Sequence, residues 1–259
     1  MNQPIRSDKY ENSRGKKFNG YLSLERNATL PYMLVVPENL EEGKDFEKDI
    51  VAVKEISMKP QRQREEKRRE LEKLIEAVPS FQTSLRPMVF NGEIPPLALN
   101  MVSAANRCDV GPMAAVAGAF SEIAWQYLRN YGSEIIVENG GDIVSDSQKE
   151  RIIKVFAGPS IFSGKIGIKL SPGKHGICTS SGTVGPSLSF GQADAVVIIS
   201  KSASLADAAA TAGGNRIQNS DDFKGALAFL QAIDGVDGIL MIKEDKMLAW
   251  GNLEVVPLN

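Results

Sequence analysis

The stretch that decides the fold is a short apolar strand that runs directly into two glycines flanked by polar residues. It reads Ile135-Ile136-Val137-Glu138-Asn139-Gly140-Gly141-Asp142. Adjacent glycines expose backbone N–H groups at close range, and the Glu, Asn and Asp side chains offer acceptors for a ribose or a base edge. The same pattern also suits a turn between two strands, because Asn-Gly readily adopts the positive φ angles of a tight hairpin. Both interpretations stay open on spacing alone.

Further strands and helices are predicted on both sides of this stretch. The predicted helices are Gly111–Tyr131, Leu205–Ala212 and Phe223–Ile233, and the predicted strands are Tyr21–Leu24, Met33–Val36, Ile152–Phe156, Lys165–Leu170, Ala195–Ser200, Ile239–Ile242 and Met247–Trp250. This order indicates an α+β (mixed α/β) fold with mixed sheets flanked by helices. No repeat or low-complexity linker divides the chain, so we expect one compact unit of residues 1–259 with two lobes.

Composition excludes several classes of protein. The 259-residue chain has one His and two Cys, too few for a zinc cluster, a dihistidine protease helix or a disulfide scaffold. Its net charge of -2 gives no electrostatic reason to expect a nucleic-acid partner. The N-terminal residues show no apolar signal segment, and the apolar runs are too short to span a membrane. We therefore expect no membrane partner and a cytoplasmic location.

Residues 59–78 are predicted to form a charged helix with one buried face. Its apolar residues are spaced along that face: Leu71, Leu74, Ile75 and Val78. The basic residues of this helix could form a phosphate or nucleic-acid patch. They alternate with glutamates, such as Glu65 four residues before Arg69, and this pattern favours a solvated helix face.

The predicted helix after Gly111 begins with unusually small side chains. Pro112 suits the first helical position, and the next residues are Met113-Ala114-Ala115-Val116-Ala117-Gly118-Ala119. Short side chains let another backbone or a ligand approach closely. Tight packing of the helix against a sheet explains them equally well.

A second polar segment is rich in hydroxyl groups and is predicted to be a loop. It reads Gly176-Ile177-Cys178-Thr179-Ser180-Ser181-Gly182-Thr183. Such a loop can donate hydrogen bonds to phosphate oxygens from side chains and backbone. Cys178 and His175 lie three residues apart and suggest a Cys-His nucleophile. A small buried apolar cysteine is the favoured alternative.

A third segment lies in an alanine-rich predicted helix. Asp207 and Thr211 are four residues apart, so their oxygens share one helix face and could bind Mg²⁺ together with a bound phosphate. The alternative is structural. In that interpretation Ser204 caps the helix, Asp207 completes a capping box and Thr211 bonds back to a carbonyl.

Taken together and in this order, these segments resemble the ApbE-like superfamily, which contains the FAD:protein FMN transferases. The motifs that carry the resemblance are Asp109-Val110-Gly111-Pro112-Met113-Ala114, Glu138-Asn139-Gly140-Gly141-Asp142-Ile143, Cys178-Thr179-Ser180-Ser181-Gly182 and Ala206-Asp207-Ala208-Ala209-Ala210-Thr211-Ala212. The resemblance covers residues 100–215 well and the first hundred residues loosely. It implies an ApbE-like fold, and the wording of residues 110–119 and 176–185 looks like a functionally uncharacterised branch of the superfamily.

The resemblance implies a site for FAD and Mg²⁺. The residues of the FAD pocket would be Asn139, Gly140, Gly141, Asp142, Thr179, Ser180, Ser181 and Gly182. Mg²⁺ would be held by Asp207, Thr211 and the backbone carbonyl of Ala114. The implied reaction is attack of an acceptor protein's threonine on the pyrophosphate of FAD, with transfer of FMN and release of AMP.

The chain departs from the family pattern after the Thr-Ser-Gly loop. The transferases carry a His-x-x-Asp-Pro motif there, whereas residues 183–193 contain neither His nor Asp-Pro, so that general base is missing. His175 precedes the loop and is not the matching residue. Two functions therefore stay open: a Mg²⁺-dependent enzyme acting on FAD or a related nucleotide, and a flavin- or nucleotide-binding protein without transferase chemistry. The expected partners are that nucleotide, an acceptor protein and, as a further option, a second copy of the chain.

Overall fold

A computed structural model describes residues 63–130, 134–183 and 189–258, together with the backbone of one strand at residues 32–36. The helices are α1 (63–77), α2 (Ser80–Thr83), α3 (Pro96–Arg107), α4 (Val116–Leu128), α5 (Ala203–Gly214) and α6 (Phe223–Leu230). The strands are β1 (Tyr32–Val36), β2 (Glu134–Asn139), β3 (Asp142–Ser147), β4 (Arg151–Lys154), β5 (Ile166–Leu170), β6 (Gly173–Ser180), β7 (Ala195–Ser200), β8 (Val236–Lys243), β9 (Lys246–Gly251) and β10 (Glu254–Pro257). The strand predicted at residues 21–24 lies outside the described residues.

A seven-stranded sheet is the centre of the described structure. Its strand order is β1-β2-β3-β6-β7-β8-β9, and each neighbouring pair is antiparallel. Side chains alternate between the two faces of such strands. Val144, Ile198 and Met241 point to the face covered by the helices, where they form the larger core with α3, α4 and α5. We call this side of the sheet the helix face.

The opposite face packs against a small sheet with the strand order β10-β5-β4. Ile177, Val197 and Leu240 of the large sheet form a second core there with Ile168 and Leu170. We call this side the small-sheet face. Helices on one side and strands on the other confirm the predicted α+β fold class.

Helix α1 confirms the predicted charged helix with one buried face. Leu71 is buried, while Leu74 and Ile75 pack against the larger core. The charged residues pair along the helix, with Lys67–Glu70 at 2.7 Å and Arg68–Glu72 at 2.8 Å. Pairs of this kind are typical of a solvated helix surface, as the alternating charges predicted.

The chain departs from the predicted elements at two places before and in α4. No helix was predicted where α3 lies, and this helix begins at Pro96, because proline suits the first helical turn. The helix predicted from Gly111 starts instead as a 3₁₀ turn over Pro112–Ala115 and becomes α-helical at Val116.

The loop predicted at residues 176–183 is also wrong for its first half, because residues 176–180 belong to strand β6. Hydrogen-bonded pairing with β3 on one side and β7 on the other stabilises this hydroxyl-rich segment as a strand. Among the described residues, no helix is long and apolar enough to cross a membrane.

Candidate functional site

The Asn139–Asp142 segment is a two-residue hairpin turn between β2 and β3. Asn139 pairs with Asp142, and the intervening Gly140 and Gly141 have φ angles of 67° and 110°. Positive φ angles at both positions account for the two glycines. The side chain of Asn139 donates a hydrogen bond from Nδ2 to the carbonyl of Ala117 at 3.2 Å, which fixes the turn against α4. The turn interpretation is confirmed, and a binding role for these residues stays a prediction.

The end of β6 lies beside this turn. The pairing of β3 with β6 brings Asp142 next to Cys178 on the helix face. The Cys178 thiol, which donates to the carbonyl of Ala203 at 3.3 Å, and the backbone N–H of Thr179 both lie near the Asp142 carboxylate and act to lower its pKa. On the neighbouring helix α4, the Ser121 hydroxyl donates to the backbone carbonyl of Asp142 at 2.8 Å. Two predicted binding segments therefore meet at one end of the sheet.

The hydroxyl residues at the end of β6 face different sides of the sheet. Ser180 shares the helix face with Cys178, and its Oγ would lie 3.1 Å from a Cβ atom built on Gly214 of α5. Thr179, one residue earlier, points to the small-sheet face because side chains alternate along a strand. Gly182 follows the strand and donates its backbone N–H to the carbonyl of Ala193 at 2.8 Å. Ser180 is thus the predicted hydroxyl residue on the face of Asp142.

Helix α5 brings the third segment to the same place. Asp207 Oδ2 accepts a hydrogen bond from the backbone N–H of Gly118 at 2.9 Å, and the N–H of Ala117 also donates to this carboxylate. A Cβ atom on Gly118 would lie 2.2 Å from the carbonyl oxygen of Ala203 and 2.9 Å from the Cβ of Asp207. At Gly118 the small residue allows the close approach of another backbone, which is that of helix α5, and α4 also packs against β2 and β3 as the other explanation expected.

The electrostatics of this region are dominated by two carboxylates, of which Asp142 is buried and Asp207 is half-buried. Burial raises the pKa of Asp142 to about 7. The pKa of Asp207 is also raised well above its ordinary value, first by burial and second by the negative charge of Asp142. Neither carboxylate forms an ion pair with a Lys or Arg within the described ranges. The Oδ1 atom of Asp142 is buried and has no hydrogen-bond partner.

The residues predicted to hold a metal lie near these carboxylates. Asp207 and Thr211 are one turn apart on α5, and Ala114 belongs to the 3₁₀ turn that packs against α5. The hydroxyl of Thr211 has no hydrogen-bond partner in the described part of the chain. Over the same residues, no group of three His, Cys, Asp or Glu side chains is arranged to hold a metal ion. A cation here would therefore need the Thr211 hydroxyl, a backbone carbonyl and ligand oxygens besides the carboxylates.

The Cys-His nucleophile is contradicted by the structure. Cys178 points to the helix face, where burial raises the pKa of its thiol well above the ordinary value. His175 points to the small-sheet face, and its Nε2 lies 3.0 Å from the carbonyl oxygen of Ser171. Three residues of separation on a strand place two side chains on opposite faces, so they cannot form a dyad. Cys178 is the small buried residue of the alternative interpretation.

The structural alternative for the α5 segment is also wrong in its details. The capping hydroxyl is that of Ser202, which accepts from the N–H of Leu205, and not that of Ser204. Asp207 does not close a capping box on its own helix, because its carboxylate accepts from the first residues of α4. Asp207 therefore joins two helices at their point of closest approach.

Sequence reasoning missed a polar cluster around one glutamate at the contact between helices α4 and α5. Glu122 of α4 accepts from the Lys174 ammonium at 2.8 Å and from the hydroxyls of Ser202 and Ser204 at 3.2 Å each. Asn100 of α3 donates to Ser204 at 3.0 Å and extends the cluster. The one available signal was a single glutamate in an otherwise apolar helical pattern. Its partners come from other elements, and spacing along the helix does not identify them.

Comparison with known proteins gives consistent matches. A family model described as AbpE bacteria matches residues 45–226. The UPF0280 protein of Methanococcus vannielii is 39% identical over 210 residues, which cover 73% of this chain and 85% of the relative. The UPF0280 protein of Methanocella arvoryzae is 41% identical over 189 residues, covering 72% and 77%.

Solved structures were matched as well. A mutant form of the flavin transferase ApbE from Vibrio cholerae matches with a TM-score of 0.49 at 12% identity, over 85% of this chain and 92% of that chain.

Proposed function

The chain belongs to the ApbE-like superfamily, and from this membership we propose that it binds FAD, or a related nucleotide with a pyrophosphate group, together with Mg²⁺. The proposed site is the end of the large sheet where the β2–β3 turn, the end of β6 and the α4–α5 contact meet. The glycines of the turn offer backbone N–H groups, and Ser180 and Ser181 offer hydroxyls, for phosphate oxygens.

One observation carries the proposal: the buried carboxylate of Asp142 and the half-buried carboxylate of Asp207 lie together without a cationic partner in the described structure. Burying a carboxylate costs free energy unless it is paired or fully hydrogen-bonded. Asp142 keeps one buried oxygen without a hydrogen-bond donor, and the negative charges of Asp142 and Asp207 repel each other. A bound cation would compensate both charges, so the residues fit a divalent ion.

The donor set also fits the chemistry of Mg²⁺. This ion prefers oxygen ligands and commonly combines one or two carboxylates with phosphate oxygens and water. Asp207, Thr211 and the Ala114 carbonyl supply such oxygens from α5 and from the 3₁₀ turn beside it. When bound, Mg²⁺ would neutralise negative charge on the pyrophosphate. The chain's own part is to hold the phosphates between the turn, the end of β6 and α5.

The bound nucleotide could either be transferred or only be held, and the position of His175 bears on which of the two occurs. In a transfer reaction, an acceptor threonine oxygen would bond to the phosphorus of the FMN half, the pyrophosphate bond would break and AMP would leave. The threonine proton would then need a base. The chain's single histidine lies on the small-sheet face and cannot take that role. This observation favours the second candidate, a binding protein that holds the nucleotide without transferring it.

The test is a calorimetric titration of the purified protein with FAD, with and without Mg²⁺. We expect Mg²⁺ to increase the affinity of the wild-type protein at least tenfold. Asp207→Asn should abolish this increase, because the amide keeps the size of the side chain and loses its charge. Asp146→Asn, which alters a carboxylate at the far end of β3, should retain it. Absence of FAD, FMN and ADP binding under all conditions would overturn the proposal.

A mass measurement then distinguishes transfer from binding. The protein is incubated with FAD, Mg²⁺ and a protein that carries an acceptor threonine. An adduct with the mass of FMN on that protein would show transfer. FAD binding without an adduct, and without release of AMP, would support the binding protein.

A further inference from the structure

Residues 189–193 end the stretch 183–193 that lacks the family's histidine motif, and hydrogen bonds to the residues after α5 fix their position. Phe190 is anchored at both backbone groups. The N–H donates to Asn215 Oδ1 at 3.0 Å, and the carbonyl accepts from Gln218 Nε2 at 2.8 Å. The backbone N–H of Gln192 donates to the carbonyl of Ile217 at 2.7 Å. The segment is thus attached to the residues that follow α5.

Three glycines bring this segment against the proposed site without intervening side chains. A Cβ atom on Gly191 would lie 1.8 Å from the carbonyl oxygen of Gly214, at the end of α5. A Cβ atom on Gly182 would lie 2.1 Å from the carbonyl oxygen of Gly191. Gly214 in turn faces the hydroxyl of Ser180. Gly191 therefore packs against the residues that follow β6 and against the end of α5, and Phe190 is its neighbour in the chain.

The ring of Phe190 remains largely in solvent although its backbone is held on both sides. Its relative exposure is 52%. An aromatic ring on a fixed backbone can stack on a planar ligand with little loss of conformational freedom, since only two side-chain torsions must be ordered. Phe156, the other strongly exposed phenylalanine of the described residues, is different. It lies beside the small sheet, with the Lys154 ammonium 5.5 Å from its ring centre.

We propose that the ring of Phe190 stacks on a planar heteroaromatic ring of the nucleotide, next to the proposed phosphate-binding end of β6. The inference rests on the proposed function and adds a ring-binding element to it. It assigns a role to the segment that lacks the histidine motif. In place of a side chain for proton transfer, the segment presents an apolar ring. The flavin ring and the adenine ring of FAD share the required chemistry.

The experiment compares three ligands in the presence of Mg²⁺: FMN, ADP and inorganic pyrophosphate. Titrations are performed on the wild-type protein, Phe190→Ala and Phe190→Tyr, with Phe156→Ala as the matched control. We expect Phe190→Ala to weaken one of the two ring-bearing ligands about tenfold, within the range measured for loss of a stacking aromatic side chain. Pyrophosphate affinity should change less than twofold, because that ligand has no ring. The ligand that weakens, FMN or ADP, identifies the ring that stacks.

The remaining variants separate stacking from damage to the fold. Phe190→Tyr should restore ring-bearing ligands to within about threefold of the wild type, and Phe156→Ala should bind all three ligands as the wild type does. If Phe190→Ala weakens the binding of pyrophosphate as much as the binding of FMN and ADP, or weakens the binding of none of them, the stacking role of Phe190 is refuted. If the wild-type protein binds none of the three, the proposed function itself fails.

Discussion

Two acidic groups near the contact between helices α4 and α5 lie in opposite electrostatic conditions. One is Glu122, whose carboxylate has the Lys174 ammonium and two serine hydroxyls as partners. The other is the pair Asp142 and Asp207, which has backbone N–H groups and a thiol but no cation in the described structure. Both groups contact helix α4: Glu122 is one of its residues, and Asp207 accepts from the N–H of Gly118.

The difference shows how a structural carboxylate can be told from a site. Glu122 has its charge compensated within the protein, and its cluster joins α3, α4, α5 and β6. Asp142 and Asp207 have no such compensation, so the folded chain holds them at a cost in free energy. Such a cost persists where the surrounding structure enforces it, and functional sites are where this is most common.

Removing the compensated carboxylate should have the largest effect on stability. Glu122→Ala leaves the Lys174 ammonium, which is 22% exposed, without its partner. We expect the free energy of unfolding to fall by about 3 kcal/mol, at the lower end of the range for breaking a buried ion pair. Urea denaturation measures this change. Glu72→Ala removes the exposed partner of Arg68 and should cost about 0.5 kcal/mol. Equal losses for the two variants would mean that the Glu122 cluster is not a structural element.

The contact between the helices should be the next most sensitive feature. Gly118→Ala places a Cβ atom 2.2 Å from a carbonyl oxygen of α5, so the helices must separate. We expect a loss of about 2 kcal/mol in unfolding free energy, as for overpacked cores, together with weaker Mg²⁺-dependent nucleotide binding. Gly225→Ala is the matched control, because a Cβ atom at that helical position meets nothing within 4 Å. It should be neutral or stabilising. A stable Gly118→Ala protein would refute the tight contact.

The Glu122 cluster and the contact between the helices also show how much of the structure the sequence could predict. Apolar periodicity predicted most strands and helices, because local burial patterns reflect which face of an element is covered. The Asn-Gly-Gly turn was within reach for the same local reason. The ion pair of Glu122 was not, since Lys174 comes from a strand 52 residues away. Its identification needs the packing of α4 on β6.

The meeting of Asp142 and Asp207 was predicted only through the resemblance to a family. No spacing rule connects residues on a β-hairpin and a later helix, and their approach depends on the register of β3 with β6 and on the α4–α5 contact. The opposite orientations of Thr179 and Ser180 follow from the strand that replaced a predicted loop. Turn chemistry is local, whereas the face that a hydroxyl occupies depends on pairing with distant strands.

The uncompensated pair should also appear in the pH dependence of stability. Because the pKa of Asp142 is raised to about 7 in the folded state, the folded protein binds this proton more tightly than the unfolded chain does. The free-energy cost of ionising Asp142 in the folded protein is therefore absent below the pKa of this residue in the unfolded chain, and it grows as the pH rises toward about 7. Asp142→Asn removes it. We expect the variant to gain about 2 to 3 kcal/mol relative to the wild type between pH 5 and pH 8, measured by urea denaturation without Mg²⁺. A difference that does not vary with pH would contradict the raised pKa.

The smallest effect is expected at the single histidine. His175 lies on the small-sheet face, and its ring contacts the carbonyl of Ser171, whereas Asp142 and Asp207 lie on the helix face. Burial lowers the pKa of His175, so the ring is neutral at pH 7 and places no charge near the site. His175→Gln should therefore change Mg²⁺-dependent FAD affinity by less than about twofold, because the side chain is remote from the carboxylates. Titration at pH 7 beside Asp207→Asn measures both effects in one series. A tenfold loss in His175→Gln would mean that the two faces of the sheet are coupled and that the histidine acts in the site after all.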